Sequence, residues 1–109
     1  MFDADKNEIL LEAVANTASK LGLEPDAVSF YLPNSASEID PKSEMGQRAM
    51  RLIRVYRSLH TLLGGNEQHI QHWMKTQNRA FNAIPSEMIR NDEGLNRVLE
   101  YVDAIRGKV

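Results

Sequence analysis

Residues 64–107 read GGNEQHIQHWMKTQNRAFNAIPSEMIRNDEGLNRVLEYVDAIRG, and three short helical patterns follow one another in them, each with its own start signal. Asn66 caps the first, which carries Ile70, Trp73 and Met74 on one side. Thr76-Gln77-Asn78-Arg79 then breaks the period, and Ala80, Phe81 and Ile84 are apolar residues in an irregular connection, as if they plug into a core. Pro85 suits the first position of a one- to two-turn helix that continues through Met88 and Ile89. Asn91 caps the last helix, with Asp92 and Glu93 in its first turn and Leu95, Val98, Leu99, Val102 and Ile105 as its stripe, and Gly107 closes it. Three helices in sequence, with no alternating strand pattern, predict an all-α fold.

Upstream lies the longest helical pattern, from Ser43 to Leu63. Ser43 is a natural N-cap, and Met45, Ala49, Leu52, Ile53, Tyr56, Leu59, Leu62 and Leu63 recur on one face. A helix of this length is a rod of ~30 Å, and Gly64-Gly65 stops it. Arg48, Arg51, Arg54 and Arg57 follow one another at i, i+3, so they wrap around the flank away from much of that stripe. Before this rod, PNSASEIDP (33–41) reads as a loop. From Asp5 to Leu21, the positions Ile9, Leu10, Ala13, Val14, Ala18 and Leu21 form one amphipathic stripe that Gly22 terminates. A shorter helix starts at Pro25, runs through Val28, Phe30 and Tyr31, and stops at Pro33. The expectation is a small multi-helix bundle with one long central helix followed by three shorter C-terminal helices.

The 109 residues suit one small core, and 42% hydrophobic with 26% charged residues is an ordinary globular composition. No apolar run approaches the ~20 residues of a membrane span. MFDADKNE is acidic where a signal peptide is basic, and cysteine is absent, so thiolate chemistry and disulfides are excluded and a cytoplasmic address is expected. The net charge of −2 divides unevenly: residues 1–40 hold two lysines against eight acids, residues 41–109 eleven Lys and Arg against seven.

Chemistry is sparse. His60, His69 and His72 are the only histidines, and no carboxylate stands at a spacing that would complete a metal site with His69 and His72. There is no GxSxG elbow, no phosphate-binding glycine loop and no outstanding pair of acids. No catalytic residue, metal or cofactor is expected. Nucleic-acid binding would draw on Arg48, Arg51, Arg54 and Arg57, but the segment Glu24–Leu32, where a recognition helix would lie, has two acids and neither Lys nor Arg.

The succession Trp73-Met74-Lys75-Thr76-Gln77-Asn78-Arg79-Ala80-Phe81, Ile84-Pro85-Ser86-Glu87-Met88-Ile89 and Asn91-Asp92-Glu93-Gly94, with Val98, Ile105 and Gly107, resembles the toxin-binding domain of Xre/MbcA/ParS-type antitoxins. Arg51-Leu52-Ile53-Arg54-Val55-Tyr56 extends the likeness into the long helix. The resemblance implies a non-enzymatic antitoxin of a type II toxin–antitoxin system, whose partner is a RES-type toxin that destroys NAD and whose C-terminal helix and tail cover the toxin's cofactor pocket. It implies a division into residues 1–40, a degenerate helix-turn-helix-like region, and residues 43–109, the central helix with the toxin-binding domain. The alternative is a transcriptional regulator of helix-turn-helix type that binds operator DNA.

With the apolar stripes assigned to the core, the toxin-binding residues expected are the outward Asn78, Arg79, Arg97, Tyr101, Arg106, Lys108 and Val109, of which Arg and Tyr are types that interfaces favour. A homodimer or a higher hetero-oligomer with the toxin are the candidate assemblies.

Overall fold

The structure is a computed structural model that describes residues 2–32 and 37–107. Six helices follow in order: α1 (Phe2–Leu21), α2 (Pro25–Tyr31), α3 (Glu44–Leu62), α4 (Glu67–Lys75), α5 (Pro85–Met88) and α6 (Asp92–Arg106). The only extended pairing among the described residues is an isolated bridge between Asn78 and Ala83. The all-α reading holds, with the long helix followed by three shorter ones.

Local chemistry sets the helix ends. The side chains of Ser43, Asn66 and Asn91 accept from the amides of Gly46, His69 and Gly94, satisfying donors that the first turn leaves free. Pro25 and Pro85 sit in the first turns of α2 and α5. Gly22 at φ 71° closes α1 with the Leu23 amide donating back to the Ala18 carbonyl at 3.1 Å, and Gly64-Gly65 at 65° and 75° reverse the chain after α3. Part of the 33–41 loop, including Pro33, lies outside the described residues.

α3 is the strut, packed between α1 and α6. Leu52, Val55 and Leu59 meet Val14 and Leu21 of α1, Ile70 and Met74 of α4, Ile89, and Leu95, Val98 and Val102 of α6 in one core. Two expectations are corrected by this arrangement. Ile9, assigned to the inner stripe of α1, is exposed, and Thr17 is buried instead with its hydroxyl donating to the Ala13 carbonyl at 2.8 Å. The buried face of α3 is also wider than the single stripe expected for it. A helix covered on two sides buries Gly46, Val55 and Ser58 as well, while Met45, Ile53, Tyr56, Leu62 and Leu63 are only partly covered.

Tyr31 fastens the N-terminal helices to the C-terminal ones. Its ring is fully buried and its hydroxyl donates to the Ile89 carbonyl just after α5. Burial pushes the phenol well above its ordinary value, about 10. A raised value means that stability is fully present below about pH 10 and is lost as pH rises beyond it. Tyr31→Phe leaves the Ile89 carbonyl without this donor and is expected to cost about 1–3 kcal/mol at neutral pH. It should also flatten the alkaline limb of the profile, as denaturant titrations on both sides of about pH 10 would read.

Candidate functional site: the aromatic ledge of α4, the turn and α6

The irregular turn after α4 is built on Asn78. Its amide donates to the Ala83 carbonyl at 2.9 Å, its carbonyl accepts from Phe81 and Asn82, and its Oδ1 accepts from the Ala80 amide at 2.8 Å. Asn82 takes up the left-handed backbone, φ 53°, that asparagine tolerates better than most residues. The Asn78 carboxamide oxygen is thus used locally, and the turn leaves Arg79 exposed next to it.

Closing the turn swings Phe81 back onto the helices. Its ring meets Trp73 edge-on at 6.5 Å between centroids and Tyr101 at 4.9 Å, and the Arg97 guanidinium lies 5.9 Å from its centre. All three aromatic rings are only half-buried. Trp73 also borders a shallow pocket of about 300 Å³ lined by Leu63, His69, His72, Thr76, Gln77 and Asn78. The result is a ledge of aromatic edges with an arginine above it and a dimple beside it.

Of the residues expected from the sequence, the structure gathers Asn78, Arg97 and Tyr101 around Phe81, with Arg79 on the same turn. Arg106 is elsewhere. Nine residues beyond Arg97, it lies about 180° around α6, where its Nη1 donates to the Ser58 hydroxyl at 3.4 Å in a cleft shared with Lys20, Tyr56, Arg57 and His60. Lys108 and Val109 lie outside the described residues. Trp73, assigned to the core, and Phe81 both contribute to the ledge.

The arginine row is mostly engaged within the molecule. Arg48 forks onto Asp92 through Nε and Nη2 at 3.0 and 3.2 Å, donates from Nη1 to the Phe30 carbonyl at 3.1 Å and stacks 3.8 Å from the Phe30 ring. Arg51 stands 3.5 Å from Asp92, with its buried Nε unpartnered, and Arg54 pairs with Asp103 at 2.6 Å, which also accepts from the Ser58 hydroxyl. These pairs tie α3 to α6, and Arg57 remains exposed.

The hydrogen bond from Arg48, with the charges of Arg48 and Arg51, holds the Asp92 carboxyl below the usual carboxylate range against the opposing effect of desolvation. A depressed value means stability present above the unfolded carboxylate range and lost as pH falls through the folded one. Asp92 is half-exposed, so Asp92→Asn is expected to cost only about 1 kcal/mol at neutral pH. It should narrow the difference in melting temperature between about pH 7 and about pH 3.

Residues 58–108 match the model of a family described as the antitoxin Xre/MbcA/ParS C-terminal toxin-binding domain. The match covers 51 of the chain's 109 residues, just under half. No curated protein matches the chain. The toxin-binding domain begins at Ser58, inside α3, and takes in α4, the Asn78 turn, α5 and α6, so the whole aromatic ledge lies within it. Among the described residues no three His, Asp or Glu side chains converge as a metal site would need, and no helix is long and apolar enough to cross a membrane.

Proposed function

We propose that this chain is the antitoxin of a type II toxin–antitoxin pair and neutralises a RES-type, NAD-degrading toxin by binding over its active site. The observation that carries the reading is the coincidence of the matched toxin-binding domain with the ledge of Trp73, Phe81 and Tyr101 under Arg97. Half-buried aromatic rings provide large contact area at little cost in side-chain entropy, and such rings, with arginine, dominate binding energy where they become fully covered. Arg79 and Arg97 favour an acidic rim on the toxin. Arg106 lies on another side of α6, and together with Lys108 and Val109 it is assigned to the toxin's cofactor pocket, where the two cations meet acids that line it. Antagonism of an NAD-consuming enzyme puts the pair in the cytoplasm.

Operator binding through the arginine row is the weaker reading, because Arg48, Arg51 and Arg54 would have to leave Asp92 and Asp103 to reach phosphates. The test is co-expression with a RES-type toxin as the proposed partner. Growth and cellular NAD are expected to recover with the full chain, and failure of both to recover would refute the antitoxin reading. Deleting Arg106–Val109 is expected to impair recovery; full recovery without them would remove the tail from the mechanism and leave the ledge.

A further inference from the structure

We propose that the cleft where α1, α3 and α6 end together binds a free, multiply charged phosphate compound, of which pyrophosphate is the simplest. Lys6 shares a groove with Met50 and Arg54, and Lys20 reaches Tyr56, its ammonium 5.7 Å from the ring centre, so α1 runs parallel to α3. Arg48 meets Asp92 and Arg54 meets Asp103, so α6 runs parallel to α3 as well. The three C-terminal ends therefore lie on one side of the bundle. Side chains near them line one cleft of about 420 Å³: Lys20, Tyr56, Arg57, His60, Thr61 and Arg106.

Helix C-termini attract cations, which accounts for Lys20, His60 and Arg106 each standing in the last turn of its own helix. The magnitudes do not balance. Three C-terminal ends amount to about −1.5 charges, whereas Lys20, Arg57 and Arg106 carry three positive ones before His60 is counted. Among the described residues none of these three cations pairs with an acid, while Arg48, Arg51, Arg54 and Arg90 all do. Asp103, which accepts from the same Ser58 hydroxyl that Arg106 meets, is held by Arg54 at 2.6 Å. Every polar side chain of the lining can donate a hydrogen bond, and none is a carboxylate or a carboxamide. Phosphate oxygens answer that combination, since they offer many acceptors and more than one negative charge to an arginine fork and a lysine. A compact cluster of cations also suits a compact anion. An extended nucleic-acid backbone would need the rest of the arginine row, and Arg48, Arg51 and Arg54 are held by Asp92 and Asp103.

Titration calorimetry of the full chain with sodium pyrophosphate at about 0.15 M salt tests this. The chain is used without toxin, because Arg106 is shared with the proposed toxin contact. The expected result is saturable binding of one pyrophosphate per chain. Lys20→Gln and Arg57→Gln are each expected to weaken it about tenfold, with unchanged helical circular dichroism because both side chains are exposed. Lys75→Gln removes the same charge from the exposed side of α4 and should leave binding as it was. Absence of saturable binding overturns the proposal, as does binding indifferent to both Lys20→Gln and Arg57→Gln. An equal loss in Lys75→Gln overturns it too, because net charge alone would then explain the affinity. Citrate bound as tightly as pyrophosphate would remove the phosphate assignment. So would a DNA duplex held through Arg57 by a chain that ignores pyrophosphate.

Discussion

Arg97→Glu and Tyr101→Ala together are expected to weaken toxin binding about a thousandfold while the helical bundle stays folded. Arginine and tyrosine at the centre of an interface commonly contribute about 2 kcal/mol or more each, and two such losses combine to roughly this factor. The fold should tolerate the change because Arg97 projects from the exposed side of α6 and Tyr101 packs only at the edge of the core, where Leu95, Val98, Leu99 and Val102 remain buried. Tyr101→Ala does remove the edge-on contact with Phe81, about 1 kcal/mol, so the melting temperature should fall by only a few degrees. Titration calorimetry with the toxin and thermal circular dichroism on the same samples separate the two effects. Near-normal binding by the double variant would move the interface off the ledge.

The largest effect on folding should come from Gly94→Val. Gly94 is buried in the first turn of α6, where its amide donates to the Asn91 side chain at 2.8 Å. Its backbone is not left-handed, so the requirement for glycine here is spatial. A Cβ at this position would fall on the Met88 carbonyl, which is backbone at the end of α5 and has no rotamer with which to withdraw. The corner between α5 and α6 must open, pulling Ile89 from the core and from the Tyr31 hydroxyl. The expected cost is about 3 kcal/mol or more, with a fall in melting temperature of at least about 10 °C. Gly64→Ala is the useful contrast. Gly64 has φ 65° but open space around its Cβ position, so only the conformational cost of about 1 kcal/mol is expected. If the two variants melted together, the close approach at Gly94 would not be what holds that corner.

The helix boundaries were legible because they depend on chemistry within a few residues. Ser43, Asn66 and Asn91 cap from their own positions, Pro25 and Pro85 begin helices where the amide hydrogen that proline lacks is not needed, and Gly22 and Gly64-Gly65 take backbone angles that other residues resist. What a single period could not show is how many neighbours a helix has. α3 is covered on two sides, so Val55 and Ser58 turn inward where one stripe predicts only half the buried face. The exposure of Ile9 has the same origin, since its apolar character does not say which side of α1 finds a partner.

The site was legible in part. Arg97 and Tyr101 stand four apart on α6 and so share a face, but the ring that joins them is Phe81, brought there by hydrogen bonds of the Asn78 turn that no periodicity encodes. Arg106 could have been separated from Arg97 by helical geometry alone. The engagement of Arg48, Arg51 and Arg54 required knowing that Asp92 and Asp103 lie across from them, at sequence separations of more than forty residues.

The most direct test is the rate of NAD hydrolysis by the purified RES-type toxin, titrated with the full chain. Binding over the active site predicts that turnover falls to background as the chain saturates the toxin, and that raising NAD shifts the inhibition curve to higher chain concentrations. Turnover unchanged in the presence of excess folded chain would contradict antitoxin function by direct contact.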